Sequence, residues 1–327
     1  MKDRILELLR QESGYLSGQE MSTLLGVSRA AVWKAVEALR KEGYTIDSAP
    51  NRGYHLDAPT GRLSAREIAA RLDGHPWAEL VQVLDSVDST NNLAKTRAAL
   101  GAPAGTVIVA DSQTGGRGRM GRSFVSPPGV GVYLSVILRP EAPPEELMHL
   151  TCAVAEVLCD GIEVASGLRP GIKWTNDLVS GGRKLCGILT ELSLEAESGH
   201  VQYAVVGAGV NCDQTLSDFP PEIRDMAGSL SMLTGKAVSR NALAAEMIRA
   251  LSRLDGDLVE NRQEWMDRYR RDCVTIGRAV SVSRAGETRW GQAVDVDDRG
   301  ALLVDFGQGP EAVQSGEVSV RGMYGYV

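Results

Sequence analysis

The 327-residue sequence predicts an α+β protein in three parts: an N-terminal winged helix-turn-helix, a central mixed α/β domain and a small C-terminal β-barrel. Three observations predict it. Apolar residues recur at helical spacing through the first 60 residues, the middle alternates strand-length with helix-length apolar runs, and the segment after Gly277 is a series of short alternating stretches between turn signals. With 43% hydrophobic and 24% charged residues, the composition excludes wholesale disorder, collagen-like and coiled-coil chains.

In the N-terminal part, Ile5, Leu6, Leu8 and Leu9 mark a first helix. Ser17-Gly-Gln-Glu20 has the spacing of a capping box and opens a second, whose apolar face is Met21, Leu24 and Leu25 and which Gly26 breaks. Ser28 is placed to cap a third helix carrying Val32, Val36 and Leu39, and Gly43 ends it. Residues 44–47 and 51–54 read as a hairpin wing. Residues 1–60 carry eight basic and eight acidic side chains, so the net charge of -7 lies wholly in the rest of the chain. If the third helix enters a DNA major groove, Ser28, Arg29, Ala30, Trp33 and Lys34 face the bases, and Asn51 and Arg52 of the wing meet phosphate or the minor groove. The alternative is a small dimerisation module with solvated surface cations.

Residues 61–275 form the expected central domain. It opens on a second capping-box sequence, Ser64-Ala-Arg-Glu67. Strand-like runs occur at 106–110, 131–138, 187–194 and 202–206, and helical ones at 90–100, 144–161 and 241–261. Residues 276–327 carry short strands at 279–283, 290–296, 301–306 and 317–320. The longest apolar stretches, 132–138 and 203–210, are far below the roughly 18 residues a membrane span needs, and the charged N-terminus is unlike a signal peptide. A cytoplasmic protein without a membrane partner is expected. Five cysteines without a CxxC pair read as buried small hydrophobes, and the four scattered histidines carry no metal or triad spacing.

The strongest local signal is Gln113-Thr-Gly-Gly-Arg-Gly-Arg-Met-Gly-Arg122. Its glycines let backbone approach a ligand closely, and its arginines bind phosphate or carboxylate in bidentate fashion. No acid occurs between Ser112 and Arg139 to neutralise Arg117, Arg119 and Arg122. Gly116, Gly118 and Gly121 fit GxGxxG and 116–123 nearly fits a P-loop, but the Pro-Pro-Gly that follows at 127–129 denies both the helix they require. Downstream, residues 173–177 and 183–191 flank Gly181-Gly182 and read as the arms of a hairpin that gathers Lys173, Asn176, Asp177 and Lys184. There Asp177 either binds Mg²⁺ or orients a lysine, and an ordinary hairpin with exposed charges is the plain alternative. Asp85-Ser-Val-Asp-Ser-Thr-Asn91 precedes a helix, where helix capping is the simplest role and an uncharged polar ligand the other.

Taken together and in order, these segments closely resemble the bifunctional biotin–protein ligases of the biotin-operon-repressor type. The resemblance covers essentially the whole chain through Gly26-Val-Ser-Arg-Ala-Ala-Val32, Asp88-Ser-Thr-Asn91, Gly116-Arg-Gly-Arg-Met-Gly-Arg122, Lys173-Trp-Thr-Asn-Asp177, Arg183-Lys-Leu-Cys-Gly-Ile-Leu189 and Gly207-Ala-Gly-Val-Asn211. It implies a biotin/lipoate-ligase-like catalytic domain and an SH3-like C-terminal barrel. It also implies a two-step, ATP-dependent, AMP-forming reaction through biotinyl-5′-AMP to a lysine of a biotin carboxyl carrier protein, of acetyl-CoA carboxylase or a related carboxylase. Carried over by position, Arg119, Arg122, Lys173 and Lys184 are catalytic. Ser89, Thr90, Asn91, Gln113, Arg117, Gly118, Arg119 and Lys184 hold biotin. Gly116, Arg119, Arg122, Lys173, Asn176, Asp177 and Asn211 hold ATP or the adenylate, with Asp177 beside Mg²⁺.

The same resemblance implies repression of biotin-synthesis genes, with biotinyl-5′-AMP as corepressor driving a homodimer onto operator DNA. Three positions depart from the family pattern: Thr175 for Pro, Phe124 for Trp and Cys186 for Gly or Ala. The competing readings are a lipoate or other acyl ligase, a ligase without operator binding, and a non-catalytic biotin-sensing transcription factor.

Overall fold

Reciprocal capping sets the N-terminal unit. The computed structural model describes residues 1–11, 14–41, 44, 46–49, 52–56, 62–195, 197, 199–284, 287–314 and 319–322. The chain divides into two compact units, Met1–Arg62 and Leu63–Val327. In the first, α1 (Lys2–Gln11), α2 (Gly18–Leu25) and α3 (Arg29–Lys41) precede a wing of β1 (Ile46–Ala49) and antiparallel β2 (Gly53–Leu56). Ser17 Oγ accepts the Glu20 N–H at 3.1 Å while Glu20 Oε2 accepts the Ser17 N–H at 2.9 Å, the expected box. Gly26 ends α2 in the left-handed region at φ 66°, and Ser28 Oγ accepts the Ala31 N–H at 3.2 Å to start α3. Ile5, Leu6, Leu9, Met21, Val32, Val36 and Leu39 close the core. The wing starts later than expected because Tyr44 is buried in that core, and Ile46 is the first strand residue.

The second unit opens with α4 (Ala65–Leu72). Its box is closed through a third residue: the Ser64 N–H donates to Asn241 Oδ1 at 2.9 Å, and Asn241 Nδ2 donates to Glu67 at 3.1 Å. Strands β3 (Val81–Leu84), β4 (Val107–Ala110), β5 (Gly131–Leu138), β6 (Gly171–Lys173), β7 (Asp177–Ser180), β8 (Arg183–Leu194) and β9 (Val201–Asn211) form one sheet in the order β3-β4-β5-β9-β8-β7-β6. Only the β3–β4 pair is parallel. The unit also carries α5 (Thr90–Ala99), α6 (Leu150–Ser166), α7 (Leu230–Thr234), α8 (Arg240–Ser252) and α9 (Arg262–Asp272).

Every residue of β5 is buried, which requires cover on both faces. Val132, Leu134 and Val136 share one core with α6, α8 and α9, whereas Ile137 packs with Ala94 and Ala98 of α5 on the other side. Helix α6 starts at Leu150 because residues 144–146 form a separate 3₁₀ turn, and it runs on to Gly167 at φ 74°. Helix α8 stops at Ser252, short of the expected 261. Helix α9 was hidden by its charge, since only Trp265, Met266 and Tyr269 of its eleven residues are buried.

The C-terminal strands β10 (Ala279–Arg284), β11 (Glu287–Val296), β12 (Leu302–Asp305), β13 (Pro310–Val313) and β14 (Ser319–Gly322) form an antiparallel sheet in the order β13-β12-β11-β10-β14. Strand β13 was not anticipated, because its leading Gly-Pro reads as a turn. Val280, Val282, Ala293, Val296 and Leu302 belong to the same core as the seven-stranded sheet. Among the described residues no helix is long and apolar enough to cross a membrane.

The two sides of α6 give a direct test of where stability resides. Leu158 is wholly buried and Val164 is 70% exposed. Leu158→Ala is expected to cost about 2–5 kcal/mol and Val164→Ala less than about 0.5 kcal/mol, read as shifts of the urea midpoint; equal shifts would contradict this core.

Candidate functional site

The pleat of the sheet decides where a ligand can sit. On β9, Ala204, Val206, Ala208 and Val210 point into the main core, so Tyr203, Val205, Gly207 and Gly209 point to the α5 face. On β8 the same face receives Gly187, Leu189 and Glu191, in register as Gly187 opposite Gly209 and Leu189 opposite Gly207. Beneath α5 the sheet is covered by side chains, but beyond the helix N-terminus glycines leave it bare. An open cleft occupies that space, lined by Ser89, Thr90, Asn91, Gln113, Arg117, Phe124 and the strand residues Gly187, Leu189 and Gly207 to Gly209.

Simple capping does not account for 85–91. Ser89 is the N-cap of α5, yet its side chain makes no capping bond although the residue is 2% exposed. The capping acceptor is Gln113 Oε1, which takes the Thr90 N–H at 2.9 Å and the Thr90 hydroxyl at 3.1 Å. Gln113 Nε2 in turn donates to Ser126 Oγ at 2.9 Å. The 112–115 segment is zipped to 87–88 by backbone bonds such as Thr114 N–H to Val87 O at 2.9 Å and Gly115 N–H to Asp88 O at 2.8 Å. Asp88 is held below its ordinary pKa first by the Asn92 amide and then by the Ser89 N–H.

The Gly/Arg run forms a folded loop rather than a phosphate-binding helix turn. The Gly118 N–H donates to Arg122 O at 2.7 Å, the Phe124 N–H to Gly116 O at 2.9 Å, and residues 119–121 make one 3₁₀ turn with Met120 at φ 55°. Glycine is required at 116, where a Cβ would stand 2.3 Å from Phe124 O. Phe124 lies on the glycine floor: a Cβ at Gly209 would stand 2.5 Å from its ring, and one at Gly187 3.0 Å.

Beside the cavity is a cationic cluster. Lys184 pairs with Asp177 at 2.6 Å, its Nζ lies 5.8 Å from the Phe124 ring centroid, and a Cβ at Gly187 would stand 3.2 Å from that Nζ. Arg119 donates to Asn176 Oδ1 at 3.0 Å, and Asn176 Nδ2 donates to Ile188 O at 2.8 Å. Burial lowers the Arg119 pKa, and nearby Asp177 opposes it. Residues 173–177 are not a hairpin arm as expected. They form the tight turn from β6 to β7, Lys173 opposite Asp177, while β7 and β8 make the hairpin around Gly181-Gly182, both at positive φ.

Of the predicted residues, Ser89, Thr90, Asn91, Gln113 and Arg117 line the cavity, whereas Gly116, Gly118, Arg119, Asn176, Asp177, Lys184 and Asn211 stand outside its lining, as do Arg122, which is exposed, and Lys173, which ends β6. Asn211 is buried; its Nδ2 donates to Gly228 O at 2.9 Å and its Oδ1 accepts from Gln214 at 3.1 Å, tying β9 to the segment that runs beside Lys184. Of the three departures, Thr175 is buried with its carbonyl accepting from Tyr269 Oη at 3.2 Å, in a cis peptide with Trp174. Cys186 is wholly buried on the core face of β8, and the other four cysteines are buried in the same core. The residues that sequence reasoning missed are Gly187, Leu189, Gly207 to Gly209, Phe124 as lining, and the Ser135 and Glu191 that brace Asn91. Their signal was glycine inside strand-like runs, which marks close approach.

On α3, Ser28, Arg29, Ala30, Trp33 and Lys34 are all exposed on the unit's surface. Arg40 is not available in the same way: it pairs with Glu37 at 2.6 Å and donates to Ile46 O of the wing. Arg52 stacks over the Tyr15 ring at 4.3 Å, and Asn51 lies outside the described residues.

A seven-stranded sheet with a polar, glycine-floored cavity, in a chain that also carries a winged helix, defines a pocket-bearing α/β domain with a DNA-binding-type module. The model of the Biotin/lipoate A/B protein ligase family matches residues 83–211, that of the HTH domain residues 2–55, and that of the Biotin protein ligase C terminal domain residues 275–321. The chain is 35% identical over 326 residues to the bifunctional ligase/repressor BirA of Bacillus subtilis, covering 98% of both. It is 31% identical to that of Escherichia coli, covering 98% of this chain and 99% of the relative. The biotin protein ligase of Aquifex aeolicus, solved in complex with biotin and ATP, superposes with a TM-score of 0.63 at 28% identity over 74% of this chain and 98% of that one. The chain belongs to the bifunctional biotin ligase/repressor family.

The contact between Phe124 and the glycine floor makes a prediction of its own. Gly209→Ala is expected to destabilise by about 1–3 kcal/mol through overpacking, and Phe124→Leu in the same chain to recover most of that loss. Additive effects in the denaturation cycle would show that the two positions do not touch.

Proposed function

We propose that this chain is an ATP-dependent, AMP-forming biotin–protein ligase that also represses biotin-synthesis genes, with biotinyl-5′-AMP as both intermediate and corepressor. The observation that carries the reading is the pairing of a polar glycine-floored cavity with the Lys184–Asp177 and Arg119–Asn176 cluster at its edge. A neutral ureido ring needs donors and acceptors without charge, which Ser89, Thr90, Asn91 and Gln113 supply, with Arg117 and Gly118 flanking. A carboxylate and a phosphate need cations, which Lys184, Arg119 and Arg122 supply.

The first step forms a bond between a biotin carboxylate oxygen and the α-phosphorus of ATP while pyrophosphate leaves. Charge grows on the α-phosphoryl oxygens, where Arg119, Arg122, Lys173 and Lys184 are assigned to stabilise it. Asn176 steers the Arg119 guanidinium, and Asp177 steers the Lys184 ammonium. Gly116 lets the loop close, and Asn211 holds the adenylate-side segment. In the second step a carrier lysine amine attacks the mixed anhydride, an amide forms and AMP leaves. Closure of 116–124 over the site would keep water from that anhydride. The acceptor is a biotin carboxyl carrier protein of acetyl-CoA carboxylase or a related carboxylase. MgATP is the nucleotide substrate. Asp177 is paired with Lys184, so it does not fit a ready-made Mg²⁺ ligand, and no step is assigned through the metal.

For repression, α3 and the wing would read operator DNA through Ser28, Arg29, Ala30, Trp33, Lys34, Asn51 and Arg52, as a cytoplasmic homodimer formed on adenylate binding. The working modules are 1–60, 61–275 and 276–327.

Incubation with biotin, MgATP and an acceptor domain should release pyrophosphate and label the acceptor lysine. Lys184→Ala and Arg119→Ala should each slow adenylate formation by about 10²–10³; parental rates in both would remove the assigned site. Duplex DNA selected from a random pool should bind more tightly with biotinyl-5′-AMP than without it. Arg29→Ala should weaken that binding and lower the slope of log affinity against log salt by about 1, whereas equal affinity with and without the adenylate would refute corepression.

A further inference from the structure

Asn91 is braced from behind by residues outside the set assigned to biotin. Its Nδ2 donates to Glu191 Oε2 at 2.8 Å and to Leu189 O at 3.2 Å, so both amide hydrogens are engaged. Its Oδ1 accepts from the buried Ser135 hydroxyl at 2.6 Å and reaches over the glycine floor, 2.0 Å from where a Cβ of Gly207 would stand. The second oxygen of Glu191 is paired with Lys95 Nζ at 2.7 Å. Lys95 lies four residues after Asn91 on α5, and Glu191 shares the cavity face of β8 with Gly187 and Leu189. Burial raises the Glu191 pKa, but the bonds from Lys95 and Asn91 outweigh it and hold the group below its ordinary value.

An ionised carboxylate only accepts hydrogen bonds. If the Asn91 amide turned over, its oxygen would face the Glu191 carboxylate and its NH₂ would face the cavity. We infer that Glu191, anchored by Lys95, is a positioning residue: it locks the Asn91 amide with its oxygen toward the ligand and so makes the cavity selective for a ring bearing an N–H donor at that point. The inference rests on the biotin reading of the cavity. It adds that ureido recognition depends on a charged pair that does not itself touch the ligand.

Biotin and its two analogues methylated at one or other ureido nitrogen distinguish this role from simple docking of α5 on β8. Pyrophosphate release is followed with each ligand, in the full chain and in the Glu191→Gln and Lys95→Met variants. A glutamine can donate as well as accept and so removes the charged half of the lock, leaving only the Leu189 carbonyl to oppose the turned amide. The parent should prefer biotin over at least one methylated analogue by about 10²-fold or more, since a cavity built for a hydrogen bond rejects a ligand lacking it. Glu191→Gln should raise KM for biotin about tenfold with little change in kcat and shrink that preference about tenfold, with Lys95→Met shifting both the same way by less.

Equal losses for biotin and the analogues, or a lowered Tm with preference intact, would overturn the positioning role and leave Glu191 as a docking contact. A parent that accepts both methylated analogues as well as biotin, together with Ser89→Ala leaving the biotin KM unchanged, would overturn the cavity assignment itself and the inference with it.

Discussion

A sheet buried on both faces can hold a ligand only where it gives up side chains. In this protein that constraint falls on three cross-strand positions, Gly187, Gly207 and Gly209, paired so that Gly187 faces Gly209 and Gly207 lies between Leu189 and Ser135. Their neighbours one residue away, such as Cys186, Ala208 and Val210, cannot be opened in the same way, because they fill the main core. Strand parity therefore confines the cavity to the α5 face, and the length of α5 sets its near wall. Phe124 rests where the missing Cβ atoms would have been, and Asn91 reaches over the same floor.

The polar groups around that floor form one connected chain. It runs from Lys95 through Glu191 and Asn91 to Ser135, whose one hydroxyl hydrogen is shared between the Asn91 oxygen and the Thr90 hydroxyl, and on through Thr90 and Gln113 to Ser126, whose hydroxyl donates to Phe124 O at 3.0 Å. Fully satisfied buried networks are rigid and strengthen their members, whereas a half-satisfied one would cost stability. Ser89 is the exception that gives the chain its purpose: it is as buried as its neighbours and forgoes the cap that its position offers. Ser89 is also one of the residues that line the cavity.

Much of this was legible in the sequence, for reasons that differ by element. Capping boxes and terminal glycines are local chemistry, so α2 and α3 emerge where Ser17, Gly26 and Ser28 put them. The concentration of arginine without acidic neighbours in sequence at 117–122 was visible because charge is counted without a fold, and so was the gathering of Lys173, Asn176, Asp177 and Lys184 within 173–184. Register is not local. That 173–177 is a turn beside β8, with 183–194 continuing as one long strand, depends on pairing with β9, which no spacing along the chain encodes. The same limit hid Glu191, which stands 100 residues from the amide it holds. That Gln113 rather than Ser89 caps α5 was hidden for a related reason: the acceptor comes from a loop distant in sequence. Helix α9 escaped because its buried face is three residues among charges that are themselves structural, such as Arg268 paired with Glu156 and Asp160.

The three departures from the family pattern can be ranked by where they fall in this arrangement. Cys186 points into the core one residue before Gly187, so its extra atoms are accommodated by packing on the face away from the cavity. Thr175 is buried against Tyr269 and Cys152, and its hydroxyl meets the Cys152 sulfur at 3.8 Å, which keeps the turn attached to α6 and α9 rather than to the cavity. Phe124 alone lies on the floor. Its ring meets Tyr133 edge-on at 6.4 Å and lies 5.8 Å from the Lys184 ammonium, so the substitution bears on the boundary between the neutral cavity and the cationic cluster. A phenyl ring keeps the π face offered to that lysine while lacking the N–H an indole would bring. The effect of this departure therefore falls on the packing of the loop against the glycine floor and leaves the Lys184–Asp177 pair intact.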